Sequence, residues 1–358
     1  MLHSFMPKNK PLSARQDAII SFLEETNQPA AMSAMLNHLE SLDSAVSRMT
    51  INRDVRELVD LGYVTKQGDG RGVVYVLSPS FSVVKPINTE AYFKVEPDKR
   101  AVKQSFNFSV FSLLDSIFSS TELQQLEIWN ETYRQNVKKL SPTVLKREYE
   151  RLTIELSWKS SHIEGNTYTL LETDYLLSQH KEPKGHTREE TAMILNHKIA
   201  LDYIRAHADQ FKILNLRKIE EIHSLLIKDL GVERNIRKGL VGIAGTAYRP
   251  LDNAFQIREA IEKMCAVINK QRSIFAKAIL ALLIIAYIQP FEDGNKRTSR
   301  LIGNALLIAH RACPLSFRSI DELEYKKAIL IFYEQNNFHY FKQLFMEQFE
   351  FAVKNYFG

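Results

Sequence analysis

Between residues 12 and 61, apolar positions recur at helical spacing in three separate stretches. Ile19, Phe22 and Leu23 share one face, and Met35, Leu36 and Leu39 define a second. In the third, Ile51, Val55, Leu58 and Val59 fall at i, i+4, i+7 and i+8. Gly62 stops that stretch. Residues 63–66 and 73–77 then read as two strands around the turn Gly68-Asp69-Gly70-Arg71-Gly72. The order predicted for 12–78 is therefore three helices and a hairpin. Pro79, Pro86 and Pro97 mark 79–104 as an irregular linker. Over 105–358 the pattern is almost purely helical, with candidates at 121–138, 143–162, 170–180, 187–210, 216–229, 255–271, 275–288, 294–310 and, with breaks, 321–355. One stretch interrupts them: the alternation and glycines of 239–250 predict a small β-hairpin. The fold class expected is mainly α.

A chain of 358 residues, 45% hydrophobic and 25% charged, has room for two or three domains with ample core. A net charge of +5 argues neither for a membrane surface nor for a protein that coats nucleic acid. Cys265 and Cys313 lie in apolar helical patterns without CxxC or Cys/His clustering, so they read as reduced core residues. The first residues lack the apolar centre of a signal peptide, and the run Ile279–Ile288 is too short to span a bilayer. A cytoplasmic protein with no membrane partner is expected.

The densest chemistry lies at 289–300. A helical pattern ends at Ile288, a short turn follows, and a second helix opens with Lys296, Arg297 and Arg300. Free backbone N–H groups and the helix dipole favour an anion at such a start. Pro290 ends the first helix and aims residue 289 at the turn. Asp293 is a hard carboxylate suited to Mg²⁺, Gly294 admits close backbone approach, and Asn295 can donate or cap. Arg297 and Arg300, three apart, can fork onto phosphate oxygens.

The run Gln289-Pro290-Phe291-Glu292-Asp293-Gly294-Asn295-Lys296-Arg297-Thr298-Ser299-Arg300 resembles the signature of the Fic family, His-Pro-Phe-x-Asp-Gly-Asn-x-Arg-x-x-Arg. It departs at the first position only. The resemblance implies transfer of AMP from ATP to a protein Ser, Thr or Tyr hydroxyl, with ATP and Mg²⁺ as cofactors and the chain itself among the candidate targets. It also implies nucleotide contacts from Glu292, Gly294, Asn295, Lys296, Arg297 and Arg300, and Mg²⁺ on Asp293. The family places its proton-accepting histidine where this chain has Gln289, and Gln cannot titrate. Losing a general base lowers transfer by about 10²–10⁴-fold. Lys296, where adenylylating members commonly have Gly, resembles the Doc branch of phosphotransferases, although Doc proteins lack an arginine matching Arg300.

Two further patterns belong to the same resemblance. Ser160-Ser-His-Ile-Glu164-Gly165 matches the family's inhibitory motif, Ser/Thr-x-x-x-Glu-Gly/Asn, and implies that Glu164 holds Arg300. Ile243, Gly245, Thr246 and Tyr248 match its target-docking flap, whose exposed edge would register a protein segment. The body thus reads as an all-helical Fic domain over 105–358, with an inhibitory helix near 143–166 and a core near 187–310.

Residues 12–78 resemble the winged helix-turn-helix domains of bacterial regulators, with 47–61 as recognition helix and 63–77 as wing. Arg48, Thr50, Asn52, Arg53, Arg56, Lys66 and Arg71 occupy DNA-facing positions in that layout. Over 11–80, six basic side chains face nine acidic ones, a poor balance for phosphate binding. Double-stranded DNA is the favoured partner, with a protein–protein or homodimer contact as the alternative. The competing reading of the whole chain is a transcriptional regulator whose Fic body senses nucleotide or binds a partner without catalysis.

Overall fold

The protein is described from a computed structural model covering residues 12–42 and 46–358, without the side chain of Arg71. Three helices open it: α1 (Ala14–Thr26), α2 (Met32–Ser41) and α3 (Arg48–Asp60). Ser13 caps α1 in a reciprocal box with Gln16, and Ser47 caps α3. Ile51, Val55 and Leu58 are buried, as their spacing requires. The hairpin is present as β2 (Val64–Gln67) and β3 (Val74–Leu77). A two-residue strand, β1 (Ala30–Ala31), pairs with β3 and completes an antiparallel sheet of order β1-β3-β2. So short a strand leaves no periodicity to read.

The linker expected at 79–104 is irregular in part, but it also carries short helices. It forms α4 (Phe81–Val84) and α5 (Thr89–Lys94), with Phe81, Val83 and Val84 buried. Apolar contact outweighs its prolines: the Val83 carbonyl accepts from Phe338 N at 2.6 Å, tying the segment to the C-terminal helices.

The body consists of α6 (Ser120–Lys139), α7 (Pro142–His162), α8 (Leu170–Gln179), α9 (Arg188–Ala206), α10 (Leu216–Leu226), α11 (Ala254–Lys270), α12 (Ile274–Ile288), α13 (Asn295–Ala309), α14 (Glu322–Gln335) and α15 (His339–Asn355). Every residue of α12 is buried, which explains why it is apolar all round. α13 packs directly on it. Gly303 permits that approach, since a Cβ there would lie 2.8 Å from Leu282 Cγ. The two cysteines are buried, free thiols. No helix among the described residues is long and apolar enough to cross a membrane.

The hairpin predicted at 239–250 is not formed. The segment is an irregular loop with a turn at Ala244-Gly245 and one parallel bridge, Ser105 to Arg249. Its polar groups are held from outside: Arg249 N donates to Gln104 O at 2.8 Å, and the Tyr248 hydroxyl donates to Tyr287 O at 2.8 Å. Partners of that kind, together with three glycines in twelve residues, replace a ladder.

Candidate active site

The turn joining α12 to α13 shapes the site. Gln289 closes α12 in a left-handed conformation, φ 50° and ψ 60°. Its side chain lies against the turn: Nε2 donates to Ala286 O at 2.6 Å, and Oε1 accepts from Asn295 Nδ2 at 3.0 Å. Asn295 also braces Phe291, accepting from its N–H at 2.9 Å and donating to its carbonyl at 2.8 Å. Phe291 anchors the turn by stacking on His223, ring centres 3.6 Å apart. Gly294, at φ 76°, is the left-handed step into α13, whose first backbone N–H groups are capped by no side chain among the described residues.

Three basic side chains rise from the first turns of α13. Arg297 is buried; its Nη2 donates to Asp293 at 2.8 Å, while Nη1 has no partner among the described residues. Arg300 is fully buried and donates to Ser160 Oγ at 2.9 Å, Ser160 O at 2.8 Å and Glu164 Oε1 at 2.9 Å. Lys296, half-buried, donates to the other oxygen of Glu164 at 3.2 Å. Glu164 lies two residues beyond α7, and Gly165, at φ 98°, turns the chain away. Burial pushes the Glu164 carboxyl up, but Arg300 and Lys296 outweigh it and hold the group below its ordinary value. The pairing expected between Glu164 and Arg300 is thus in place, with Lys296 added.

Glu164, Gln289 and residues 292–297 line a cavity of about 220 Å³, closed on one side by Val241–Ala244. Of the flap residues, Ile243 reaches it. Gly245 and Thr246 lie beyond, with Thr246 Oγ1 accepting from Tyr248 N at 3.1 Å, and Tyr248 is buried against Tyr287.

Two arginines that no motif singles out organise this site. Buried Arg237 donates from Nε to Gln289 O at 2.6 Å, and its other nitrogens reach the carbonyls of Gly239 and Leu251. It ties both ends of the 239–251 loop to residue 289. Arg100 reaches the same loop from the other side, at Gly245 O. Neither contact has a sequence period, because each joins a side chain to a distant carbonyl.

The Fic/DOC family description matches residues 213–307. This stretch is a Fic/DOC family domain. Over 169 residues the chain is 28% identical to the protein adenylyltransferase Fic of Drosophila willistoni and 29% to that of Drosophila mojavensis. Those alignments cover 46% of this chain and 34% of each relative, so the match spans about a third of the curated proteins. Fic-1 (residues 134–508) of C. elegans superposes with a TM-score of 0.57 at 17% identity, covering 96% of both chains. A Fic-domain signalling protein of Bacteroides thetaiotaomicron gives 0.56 at 19% identity, over 64% of this chain and 94% of its own. At such identities the likeness is one of fold, and it extends well beyond the Fic/DOC segment.

On α3, Arg48, Asn52, Arg53 and Arg56 are exposed, and Lys66 is exposed on β2. Thr50 is half-buried and bonded to Ser47, the α3 cap. Arg71 falls on the hairpin turn, but its side chain lies outside the described residues.

Proposed function

We propose that the chain is a Fic-type protein adenylyltransferase, held off by Glu164 and impaired by Gln289. In this reading ATP lies on the 289–300 turn. A protein hydroxyl oxygen bonds to the α-phosphorus and gives up its proton, to water in this chain; the bond to the bridging oxygen breaks, and pyrophosphate leaves. The observation that carries it is Glu164, whose two oxygens occupy two cations at the mouth of an anion-binding turn. A carboxylate there stands where a phosphate would.

The unpartnered Nη1 of buried Arg297 is a guanidinium donor suited to an anion oxygen. The Asp293 carboxylate, 64% exposed, is a hard ligand able to exchange Arg297 for Mg²⁺ alongside phosphate oxygens and water. Mg²⁺ held there would neutralise phosphate charge. Gln289 supplies no base, since both ends of its amide are already bonded and neither accepts a proton at neutral pH. The likeness to the Drosophila protein adenylyltransferases supports the activity.

The test is intact-mass spectrometry after incubation with ATP and Mg²⁺, on this chain, on Gln289→His and on Gln289→His with Glu164→Gly. AMP should appear on the histidine variants, most on the double variant. Added phosphate instead would select the Doc-like reading. ATP binding without any addition would overturn self-modification and favour the regulator.

A second role follows for the N-terminal unit, which we read as a winged helix that binds double-stranded DNA. The nine acids overstate its acidity: Asp54 pairs with Arg15 at 2.8 Å and Glu57 accepts from Gln16 at 2.7 Å, both turned into α1. The outer face of α3 keeps Arg48, Arg53 and Arg56, with no acidic partner among the described residues. Fluorescence anisotropy with a random duplex pool across a salt series tests it; the absence of salt-dependent binding would leave a protein contact.

A further inference from the structure

A line of contacts runs from the connecting segment 79–104 to the loop that closes the cavity. Arg100 Nη1 donates to both oxygens of Glu334, each at 3.0 Å, and Nη2 donates to Gly245 O at 3.0 Å. Glu334 is fully buried and also accepts the Tyr92 hydroxyl at 2.5 Å. The Arg100 guanidinium lies 5.6 Å and 5.2 Å from the ring centres of Tyr92 and Phe93, within cation–π reach of both. The main chain continues the attachment: Lys103 N donates to Glu334 O at 2.9 Å, and Arg249 N to Gln104 O at 2.8 Å. Both ends of 245–249 are therefore held by residues 100–105, while the preceding Val241–Ala244 faces Asp293 and Lys296 across the cavity. None of residues 100–105 lies in the family-matched span 213–307.

We infer that Arg100 is a positioning residue for the target-docking loop, so that the segment joining the N-terminal unit to the body forms part of the site. The inference depends on the fork. A guanidinium reaches Glu334 and the Gly245 carbonyl together, whereas the single ammonium of a lysine can keep the charge pair but not both contacts. Arg100 bonds to Glu334 and Gly245 and not to the residues of 289–300 proposed to hold phosphate, so ATP binding and loop placement separate. The transfer part of the test rests on the function proposed above; the exchange part does not.

The experiment compares Arg100→Lys and Arg100→Ala with the parent, all as full chains, by hydrogen–deuterium exchange and ATP calorimetry. In Arg100→Lys, exchange across 239–250 should quicken about tenfold, the worth of one hydrogen bond, while α12 and α13 stay protected and ATP affinity is unchanged. Arg100→Ala should loosen α14 as well, because buried Glu334 loses its cation. In the Gln289→His, Glu164→Gly background, Arg100→Lys should lower kcat for protein modification about ten- to a hundredfold and leave KM for ATP alone. A general structural role would instead move α14, the loop and KM together and would overturn the assignment. So would unchanged exchange at 239–250 in both variants, or a loosened loop with undiminished transfer. If the background transfers nothing, the functional reading has failed and exchange alone decides the positioning.

Discussion

Glu164→Gln keeps the shape of a side chain and removes its charge, and that single change acts in opposite directions on the free and nucleotide-bound protein. In the free protein Arg300 is fully buried, and Glu164 is its only carboxylate partner among the described residues. Stripping one member from a buried pair costs about 3–5 kcal/mol where nothing else compensates. Here Arg300 keeps both bonds to Ser160, and Lys296 can hydrate, so the loss should be that of one charge-assisted hydrogen bond, about 1.5–3 kcal/mol. On the function proposed above, the same cations in the variant's nucleotide complex would meet phosphate without first releasing Glu164. ATP should therefore bind about ten- to a hundredfold tighter, the same free energy read as affinity. Thermal melting and calorimetry with and without ATP and Mg²⁺ measure both halves: a lower melting point alone, and a larger rise on adding nucleotide. A variant that melts lower but binds ATP no tighter refutes the competition. The pH dependence has a defined sign. The native carboxyl is held below its ordinary value of 4.5, so its contribution is complete at neutral pH and is lost only as pH falls through the depressed native value.

Three other outcomes are expected. Gly294→Ala forces a left-handed alanine whose Cβ meets Ile227 Cγ2 at 3.4 Å; about 1–2 kcal/mol of strain should appear mainly as weaker ATP binding in calorimetry. Arg237→Lys loses the fork onto three carbonyls and should lower stability by about 2–3 kcal/mol in denaturant titration, with faster exchange at 239–251. Burial, reinforced by Arg300 and Arg297, pushes His197 down to about 3, and burial takes His223 down to about 4. Both stay neutral when folded while the unfolded chain takes protons below about 6.5, so urea stability should fall by about 2 kcal/mol for each between pH 7 and pH 5.

The helices were readable because burial is periodic: the apolar spacing of α3 and the unbroken apolar run of α12 leave few alternatives. The site turn was readable because each of its needs, a left-handed step at Gly294 and cations at the start of α13, selects a residue type. The loop at 239–250 misled because alternation describes which way side chains point, while its backbone groups find partners in Gln104 and Arg237 instead of in each other. The second hold on Glu164 by Lys296, 132 residues away, is a matter of tertiary placement. The same is true of Arg100 and Glu334, whose burial neither local segment announces.

The left-handed bend at residue 289 has an evolutionary consequence. Its backbone is held by the end of α12 and by Arg237, which reads only carbonyl oxygens and is indifferent to the side chain borne there. Position 289 is thus a socket: histidine tolerates the same backbone, and one nucleotide separates its codons from those of glutamine. On the function proposed above, a lineage built on this scaffold could lose its chemistry and regain it without passing through an unfolded ancestor, keeping the 289–300 turn intact in the interval.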